Sequence, residues 1–243
     1  MEMTKKEKRF RNILSNILIF AAIVVVCTAC FVMSYSSSTA LASNSEYNGT
    51  IYAGDKNSKN VSLMVNVYWG NEELEGMLEI FKKHNIKTTF FVGGSWVIKN
   101  QELLKKIHSL GHEIASHGYS HKEHGKIGYN ENIIEIQKTH NIVKEIIDID
   151  MELFAPPGGS YNSSTINAAN ALGYKTIMWT RDTIDWRDKN AELIYSRAVS
   201  KMSGGDLVLM HPTPCTKEVL ERVINYALKN NFKLTTVSET LGL

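Results

Sequence analysis

Residues 61–81 read VSLMVNVYWGNEELEGMLEIF and set the pattern of the whole domain. Residues 61–68 are mostly apolar and β-branched, which predicts a strand. The apolar side chains that follow recur at three- and four-residue spacing, which predicts a helix with one buried face. They are Leu74, Met77, Leu78 and Phe81. The stretch therefore predicts one β–α unit.

The same alternation continues to the C-terminus. Six further strands are predicted, with helices between most of them, at residues 88–92, 113–116, 153–155, 174–179, 206–211 and 233–237. Strict alternation over one domain favours a parallel sheet. An incomplete TIM-like barrel and a doubly wound open sheet both fit. In either architecture, ligands bind at the carboxyl ends of the strands.

The N-terminus predicts a membrane tether. Residues 1–12 are rich in Lys and Arg, and residues 13–33 are mostly apolar and carry no charge. About 21 residues at roughly 1.5 Å each span about 31 Å, enough to cross a bilayer. Because the basic flank precedes the span, we expect residues 1–12 in the cytoplasm and the rest of the chain outside.

Residues 34–60 are rich in Ser, Asn, Gly and Thr, which predicts a flexible stalk before a single domain at residues 61–243. The expected location is the cell membrane, with one crossing and the domain on the outer side. A small-residue site near Ala42 leaves open cleavage by a signal peptidase, which would give a secreted protein.

Composition excludes some classes of function. The net charge of +2 gives no case for nucleic acid as a partner. Of three cysteines, Cys27 and Cys30 lie in the apolar segment and Cys215 stands alone, so no disulfide framework is predicted. The sequence does not indicate an oligomeric state.

Two histidines four residues apart follow the third predicted strand. His117 and His121 can converge on one metal ion, and neutral imidazole is a common zinc ligand. The alternative is a pair of solvent-exposed loop histidines. Nearby, His112 is interpreted as structural and His124 as a surface loop residue.

Polar or turn-forming residues also follow the next three strands. Residues 156–159 read PPGG, a rigid turn where backbone can approach a substrate closely, or an ordinary tight turn. Asp182 and Asp185 could orient a histidine and Trp186 could wall a sugar-sized pocket; a capped helix start with a core tryptophan is the alternative. His211 ends an apolar strand, in place for acid or base catalysis or for a structural role.

In this order, these motifs resemble those of the polysaccharide deacetylases, the NodB-homology or carbohydrate esterase family 4 group. The resemblance extends over about residues 61–243 and includes residues 86–94, 110–114 and 236–239. It implies an α/β fold of the NodB type, a distorted and incomplete (β/α)7-type barrel, preceded here by the predicted transmembrane helix. It also implies hydrolysis of N-acetyl groups on extracellular or cell-wall polysaccharide, with peptidoglycan or chitooligosaccharide as substrate.

The resemblance implies roles for the site residues. His117 and His121 would bind a divalent metal ion, usually zinc. His211 would be the general acid that protonates the leaving amine, tuned by Asp185 or Asp182. Backbone N–H near Gly158 would help hold the oxyanion. The substrate pocket would be lined by Trp186, Leu209, Pro157, Gly158 and Tyr161.

Two motifs depart from the family pattern. Residues 64–70 read MVNVYWG, where the family normally carries two adjacent aspartates. Asn66 stands at the position of the general base, and Val67 at the position of the third metal ligand. The arginine that pairs with the base is replaced by Ala155. The losses fit each other, because a buried arginine without its carboxylate would be costly.

Glu72 is the first candidate for the missing metal ligand, with Glu73 and Asp182 as others. The alternative for the two glutamates is that they complement the dipole of a helix N-terminus. Two hypotheses about function therefore stand. The first is a metal-dependent polysaccharide N-deacetylase with an altered base, and the second is an inactive domain that binds glycan as a membrane-tethered module.

Overall fold

The computed structural model describes residues 46–47 and 49–243. The predicted cytoplasmic tail, the predicted transmembrane segment at residues 13–33 and residues 34–45 of the predicted stalk lie outside these residues. Among the helices of the described part, none has the length and apolar character needed to cross a membrane.

Ten strands in the described part of the chain form one sheet. They are β1 (Glu46–Tyr47), β2 (Thr50–Ile51), β3 (Asn60–Val67), β4 (Thr89–Val92), β5 (Glu113–Ser116), β6 (Leu153–Phe154), β7 (Lys175–Ile177), β8 (Arg181–Asp182), β9 (Leu207–Met210) and β10 (Lys233–Leu234). The order is β1-β2-β7-β6-β5-β4-β3-β9-β8, with β10 beside β3. All neighbours are parallel except β1 and β2.

Helices follow most of the strands. They are α1 (Asn71–Lys83), α2 (Gly94–Lys99), α3 (Gln101–Ser109), α4 (Tyr129–Ile147), α5 (Ser163–Ala171), α6 (Ala191–Val199), α7 (Pro214–Lys229) and α8 (Val237–Leu241). Short 3-10 turns lie at His124–Lys126 and Pro157–Gly159. The buried face of α1 consists of the four apolar residues that the sequence pattern predicts, Leu74, Met77, Leu78 and Phe81.

The sheet curls into a half-barrel. Strands β7 and β8 lie on opposite sides of the strand order, yet only residues 178–180 connect them. Such a link reaches about 14 Å at most, so the two sides of the sheet must approach each other. The link bonds to both sides: Met178 N–H donates to Ile51 O on β2, and Thr180 N–H donates to Leu207 O on β9. The predicted incomplete parallel barrel is confirmed.

Alternation along β3 places the site. Successive side chains of a strand point to opposite faces of the sheet. Met64 packs inside the barrel with Phe91 and Leu209. Val65 and Val67 pack in the core between the sheet and the helices. Asn66 therefore shares the inner face with Met64, while Val67 points away from it.

The domain begins earlier in the chain than the predicted boundary between stalk and domain at residue 60. Strand β2 pairs with β7, and Ile51 and Ala53 are buried. Gly54 N–H also donates to Gly205 O. The sequence conceals this because β2 has two residues only and a polar turn at residues 55–58 separates it from β3.

His112 is structural, as the sequence predicts. Its ring is buried against the edges of Phe81 and Phe90, and its Nδ1 accepts a hydrogen bond of 3.2 Å from Thr88 N–H. Burial, with a smaller contribution from the charge of Lys87, lowers the pKa of His112 from 6.5 to about 4. The ring is therefore neutral in the folded protein at neutral pH.

This shift predicts acid sensitivity. The unfolded chain binds a proton at His112 near pH 6.5 and the folded protein does so only near pH 4, so stability falls as pH falls through this window. The loss is about 3 kcal/mol between pH 7 and 4. We expect the free energy of unfolding of His112→Gln, measured in urea at pH 7 and at pH 4, to fall by about 3 kcal/mol less than that of the wild type. Parallel stability curves for the two proteins would contradict it.

Candidate active site

A cavity of about 520 Å³ opens at the carboxyl ends of the strands. It is lined by Asn66, Trp69, His117, His121, Gly158, Trp179, Asp182, Trp186, Leu209 and His211. Eight of these ten positions are among the site residues predicted from the sequence; the exceptions are Trp69 and Trp179. The parallel topology explains why: residues far apart in sequence meet because their strands end at one rim.

A backbone hydrogen bond holds His117 in the tautomer whose Nε2 can bind a metal ion or accept a hydrogen bond from a sugar hydroxyl. Its side chain is 2% exposed, and Nδ1–H donates to the Ala155 carbonyl oxygen at 2.8 Å. Burial and the neighbouring His121 lower its pKa well below 6.5, against the effect of the Ala155 hydrogen bond. The ring is therefore neutral, with Nε2 as its acceptor nitrogen.

His121 completes the pair. The two imidazole centroids lie 5.2 Å apart with the ring planes at 69°. Burial lowers the pKa of His121 below 6.5 as well. The ring of Tyr68 lies 4.9 Å from that of His121, on the side of the β3–α1 loop. The structure thus brings the two histidines together, as their spacing predicts.

The histidine pair does not form a complete catalytic metal site. Catalytic zinc usually has three protein ligands. Among residues 46–47 and 49–243, no three His, Cys, Asp or Glu side chains are grouped so that they could hold a metal ion. Val67, at the third-ligand position of the family, packs in the helix-side core. The residues present do not fit a catalytic zinc centre.

None of the predicted substitutes supplies the third ligand. Glu72 is exposed in the first turn of α1 and does not line the cavity, so the structure does not place it with the two histidines. Glu73 pairs with Lys217 Nζ at 2.5 Å. Asp182 lines the cavity, but its Oδ1 accepts the N–H of Ile184 at 2.8 Å within its own turn. Glu72 and Glu73 both lie in the first turn of α1, which is the position that the alternative interpretation gives them.

Asp185, and not Asp182, contacts His211. Asp185 Oδ1 accepts His211 Nδ1–H at 2.7 Å, and Oδ2 accepts the backbone N–H of His211 at 2.6 Å. Thr216 Oγ1–H donates to the same Oδ2 at 2.5 Å. The carboxylate side chain is fully buried. The pair fixes the imidazole ring and leaves Nε2 as the nitrogen that can exchange a proton with a ligand.

Asn66 occupies the base position as an amide inside the barrel. It is 3% exposed, and its Oδ1 has no hydrogen-bond partner in the described part of the chain. An amide oxygen cannot take the proton of an attacking water as a carboxylate does. Ala155 is buried at the end of β6, where it contributes its carbonyl oxygen to His117. The cavity therefore contains the His211–Asp185 pair, which can act as an acid, and has an amide where the family carries a carboxylate base.

Trp69 and Trp179 are site residues that the sequence reasoning missed. Trp69 is 43% exposed, and its indole stacks on His211 at 5.9 Å between centroids and 8° between planes. The backbone turns at Gly70, which has φ 84° and lies close to the Pro212 carbonyl oxygen. A Cβ at this position would overlap that oxygen, so the glycine allows the loop to bring Trp69 beside His211. The Trp-Gly pair at the end of the first strand was the available signal. With Trp186, three indoles face the cavity, and flat apolar rings suit the face of a sugar.

Three further residues lie elsewhere than the sequence indicates. Pro157 is buried and does not line the cavity; it packs against the loop at Gly118. Tyr161 lies in a separate surface groove and hydrogen-bonds Tyr52 between the two hydroxyls at 2.8 Å. His124, expected on the surface, is fully buried. Its Nδ1–H donates to Asn132 Oδ1 at 2.6 Å, and its ring lies 5.0 Å from that of Phe154.

Comparison with known proteins fits this geometry. Residues 53–177 match the polysaccharide deacetylase family. The uncharacterised protein YlxY of Bacillus subtilis is 39% identical over 191 residues, which are 79% of this chain and 60% of YlxY. The peptidoglycan-N-acetylglucosamine deacetylase PgdA of Listeria monocytogenes is 29% identical over 188 residues, 77% of this chain and 40% of PgdA. This chain thus spans less than two thirds of either relative.

A solved structure extends the comparison. The crystal structure of a carbohydrate esterase family 4 pseudoenzyme from Bacillus anthracis superimposes with a TM-score of 0.78 at 36% identity, covering 81% of this chain and 70% of that one. A mutant of that pseudoenzyme with restored enzymatic activity superimposes equally well, at 35% identity. Since the family match alone covers more than half of the sequence, the chain belongs to the polysaccharide deacetylase family.

Proposed function

We propose that the protein binds N-acetylated polysaccharide of the peptidoglycan type in this cavity and acts as an N-deacetylase of low turnover. The observation that carries the proposal is the His211–Asp185 pair, buried on the Asp185 side and open to the cavity on the other. A protein that only binds sugar has no need of a carboxylate-oriented imidazole. The substrate class comes from relatives named as peptidoglycan deacetylases.

In the proposed reaction the amide C–N bond breaks, water supplies the hydroxyl group to the acetyl carbon and gives its other proton to solvent, and the nitrogen leaves as an amine. His211 donates its Nε2 proton to that nitrogen. The proton that His211 gives up is replaced from solvent. Asp185 holds Nδ1–H, which keeps the ring oriented and stabilises its protonated form, the role of the carboxylate in other His–Asp pairs. Leu209 and Trp186 would face the acetyl methyl group, and backbone near Gly158 the developing oxyanion.

Low turnover follows from what the cavity lacks. A positioned base contributes about 10²–10⁴ in rate, and Asn66 cannot supply it. No step is assigned to a metal ion, because the donor set does not fit one. Catalytic sites that lose a member of their machinery keep a residual acceleration from the remaining groups. His211 and the cavity walls are those groups here.

The second candidate is glycan binding without turnover. It is favoured by the loss of both family aspartates at Asn66 and Val67, and by the likeness to a protein described as a pseudoenzyme. The description of a mutant of that protein as enzymatically restored supports the view that such a scaffold keeps its substrate pocket when activity is lost.

Removal of the acid separates the candidates. We expect the full chain in detergent to release acetate slowly from N-acetylglucosamine oligosaccharides and from peptidoglycan, and His211→Ala to lower that rate by about 10²–10⁴. Added zinc should change the rate little. The matched control is His108→Ala, on α3 away from the cavity.

The readouts are enzymatic detection of acetate and calorimetric binding of the oligosaccharide. Binding with acetate release no faster than that of His211→Ala would establish the second candidate in place of the first. Failure of the chain to bind any N-acetylated oligosaccharide would overturn both.

We infer further that the domain works on the outer side of the cell membrane, tethered by residues 13–33. The support is the basic flank before the apolar segment and the location of peptidoglycan. Protease added to intact cells should remove the domain, and protection of the domain in intact cells would contradict this topology.

A further inference from the structure

The loop at residues 118–120 joins the two histidines of the cavity and is bonded on two sides. On one side, the N-terminus of α2 donates to it: Gly94 N–H bonds Gly118 O at 2.9 Å, and Ser95 N–H bonds Tyr119 O at 3.0 Å. These bonds use the carbonyl groups of the loop. Its N–H groups must find acceptors elsewhere, because buried backbone donors are costly when unpaired.

The N–H of Gly118 donates to Ser116 Oγ at 3.4 Å, and a single carboxylate on α4 accepts the other two. Glu135 Oε2 accepts the N–H of Tyr119 at 3.0 Å and the N–H of Ser120 at 2.8 Å. Its Oε1 accepts Ser120 Oγ–H at 2.6 Å. Glu135 thus makes three hydrogen bonds to two consecutive residues, and the next residue along the chain is His121.

The loop needs such a clamp because its backbone is unfavourable. His121 has φ 58°, the left-handed region that a residue with a Cβ rarely adopts. Gly118 has φ 70°, and a Cβ there would lie 2.7 Å from His124 Nε2, so the chain passes close over that buried ring. Conformations of this kind persist where the surroundings over-determine them, and they concentrate at functional sites.

Glu135 is buried and charged. It is 4% exposed, and burial by itself would raise the pKa of its carboxyl. The hydrogen bonds from Ser120 and Tyr119 outweigh burial and lower this pKa below 4.5. Hydrogen bonds to an ionised acceptor are about twice as strong as neutral ones. Lys122 Nζ lies 3.7 Å away, but it is half exposed and bonds Glu131 at 2.6 Å, so it is a minor partner.

We propose that Glu135 is a positioning residue, which fixes the orientation of His117 and His121 by holding the loop between them. It takes over the task that a shared metal ion would otherwise perform, because the pair lacks a third ligand among the described residues. The proposal rests on the proposed function only in placing both histidines in the ligand cavity.

The test replaces the carboxylate and watches the histidines. In Glu135→Ala, we expect the imidazole NMR signals of His117 and His121 to shift and broaden, and hydrogen exchange at the Tyr119 and Ser120 amides to accelerate about tenfold for each hydrogen bond lost. Glu135→Gln keeps one oxygen acceptor and should restore most of both signatures. The signal of His112, in another part of the barrel, should stay in place in all variants.

Glu131→Gln is the matched control. It lies on the same helix, is half exposed and bonds Lys122, so it should leave the two imidazole signals unchanged. If Glu135→Ala fails to fold, Ser120→Ala removes the Oε1 bond alone and should shift the His121 signal. Unchanged imidazole signals in folded Glu135 or Ser120 variants would overturn the proposal. This result does not depend on acetate release, so a failure of the proposed function is detected separately.

Discussion

Replacing Asn66 by aspartate is expected to raise acetate release by about 10²–10⁴, the usual contribution of a positioned general base. The substitution changes the amide into a carboxylate of the same size, on the inner face of β3 and at the wall of the cavity. The unpartnered Oδ1 of Asn66 leaves an oxygen to which an attacking water can pass its proton once the group is a carboxylate.

The gain should depend on pH. The new carboxyl is buried and Ala155 offers it no cation, so its pKa lies above the ordinary value of an aspartate. A base acts only when ionised, so the rate of Asn66→Asp should rise as pH rises through this raised pKa. The wild-type rate should not show that rise.

Two variants and one condition control the measurement. Asn66→Ala should show no gain, and Asn66→Asp combined with His211→Ala should lose most of it, because base and acid serve the same reaction. Rates are compared with and without zinc, since the incomplete ligand set limits what a metal can add. A folded Asn66→Asp protein with the wild-type rate under both conditions would refute the assignment of this position.

Much of the fold follows from local patterns. The apolar runs and helical spacings predict β3, β4, β5 and α1 to within a residue or two, because each buries one continuous face. Strands β2 and β8 have two residues each and no periodicity, and only their pairing with β7 and β9 defines them. The sequence therefore gives no local sign of them, and the predicted stalk includes residues that belong to the domain.

The site was predictable where a reactive side chain directly follows a recognisable strand, as at His117, His121 and His211. The choice between Asp185 and Asp182 depends on the turn between them, where Ile184 has φ 53°, and no pattern encodes it. Glu135 was missed because it lies in mid-helix, where a glutamate is ordinarily solvent-exposed. Glu72 lies away from the histidine pair because it stands in the exposed first turn of α1.

Asp185→Ala is expected to lower the free energy of unfolding by about 3–5 kcal/mol. Three donors lose their acceptor together: the backbone N–H and Nδ1–H of His211, and the hydroxyl of Thr216. Thr216 stands in the first turn of α7, so the carboxylate also complements the dipole of that helix.

A matched substitution isolates the effect. Asp182→Ala removes a carboxylate from the same cavity that bonds only the N–H of its own turn, and should cost about 1 kcal/mol or less. Asp185→Asn keeps one oxygen acceptor and the packing of the side chain, so it should retain most of the stability. It should lose most of the activity, because the amide cannot hold the His211 ring in its fixed tautomer. Urea unfolding and acetate release measure the two effects. Equal stability losses for Asp185→Ala and Asp182→Ala would show that the network around His211 does not hold the β9–α7 corner together.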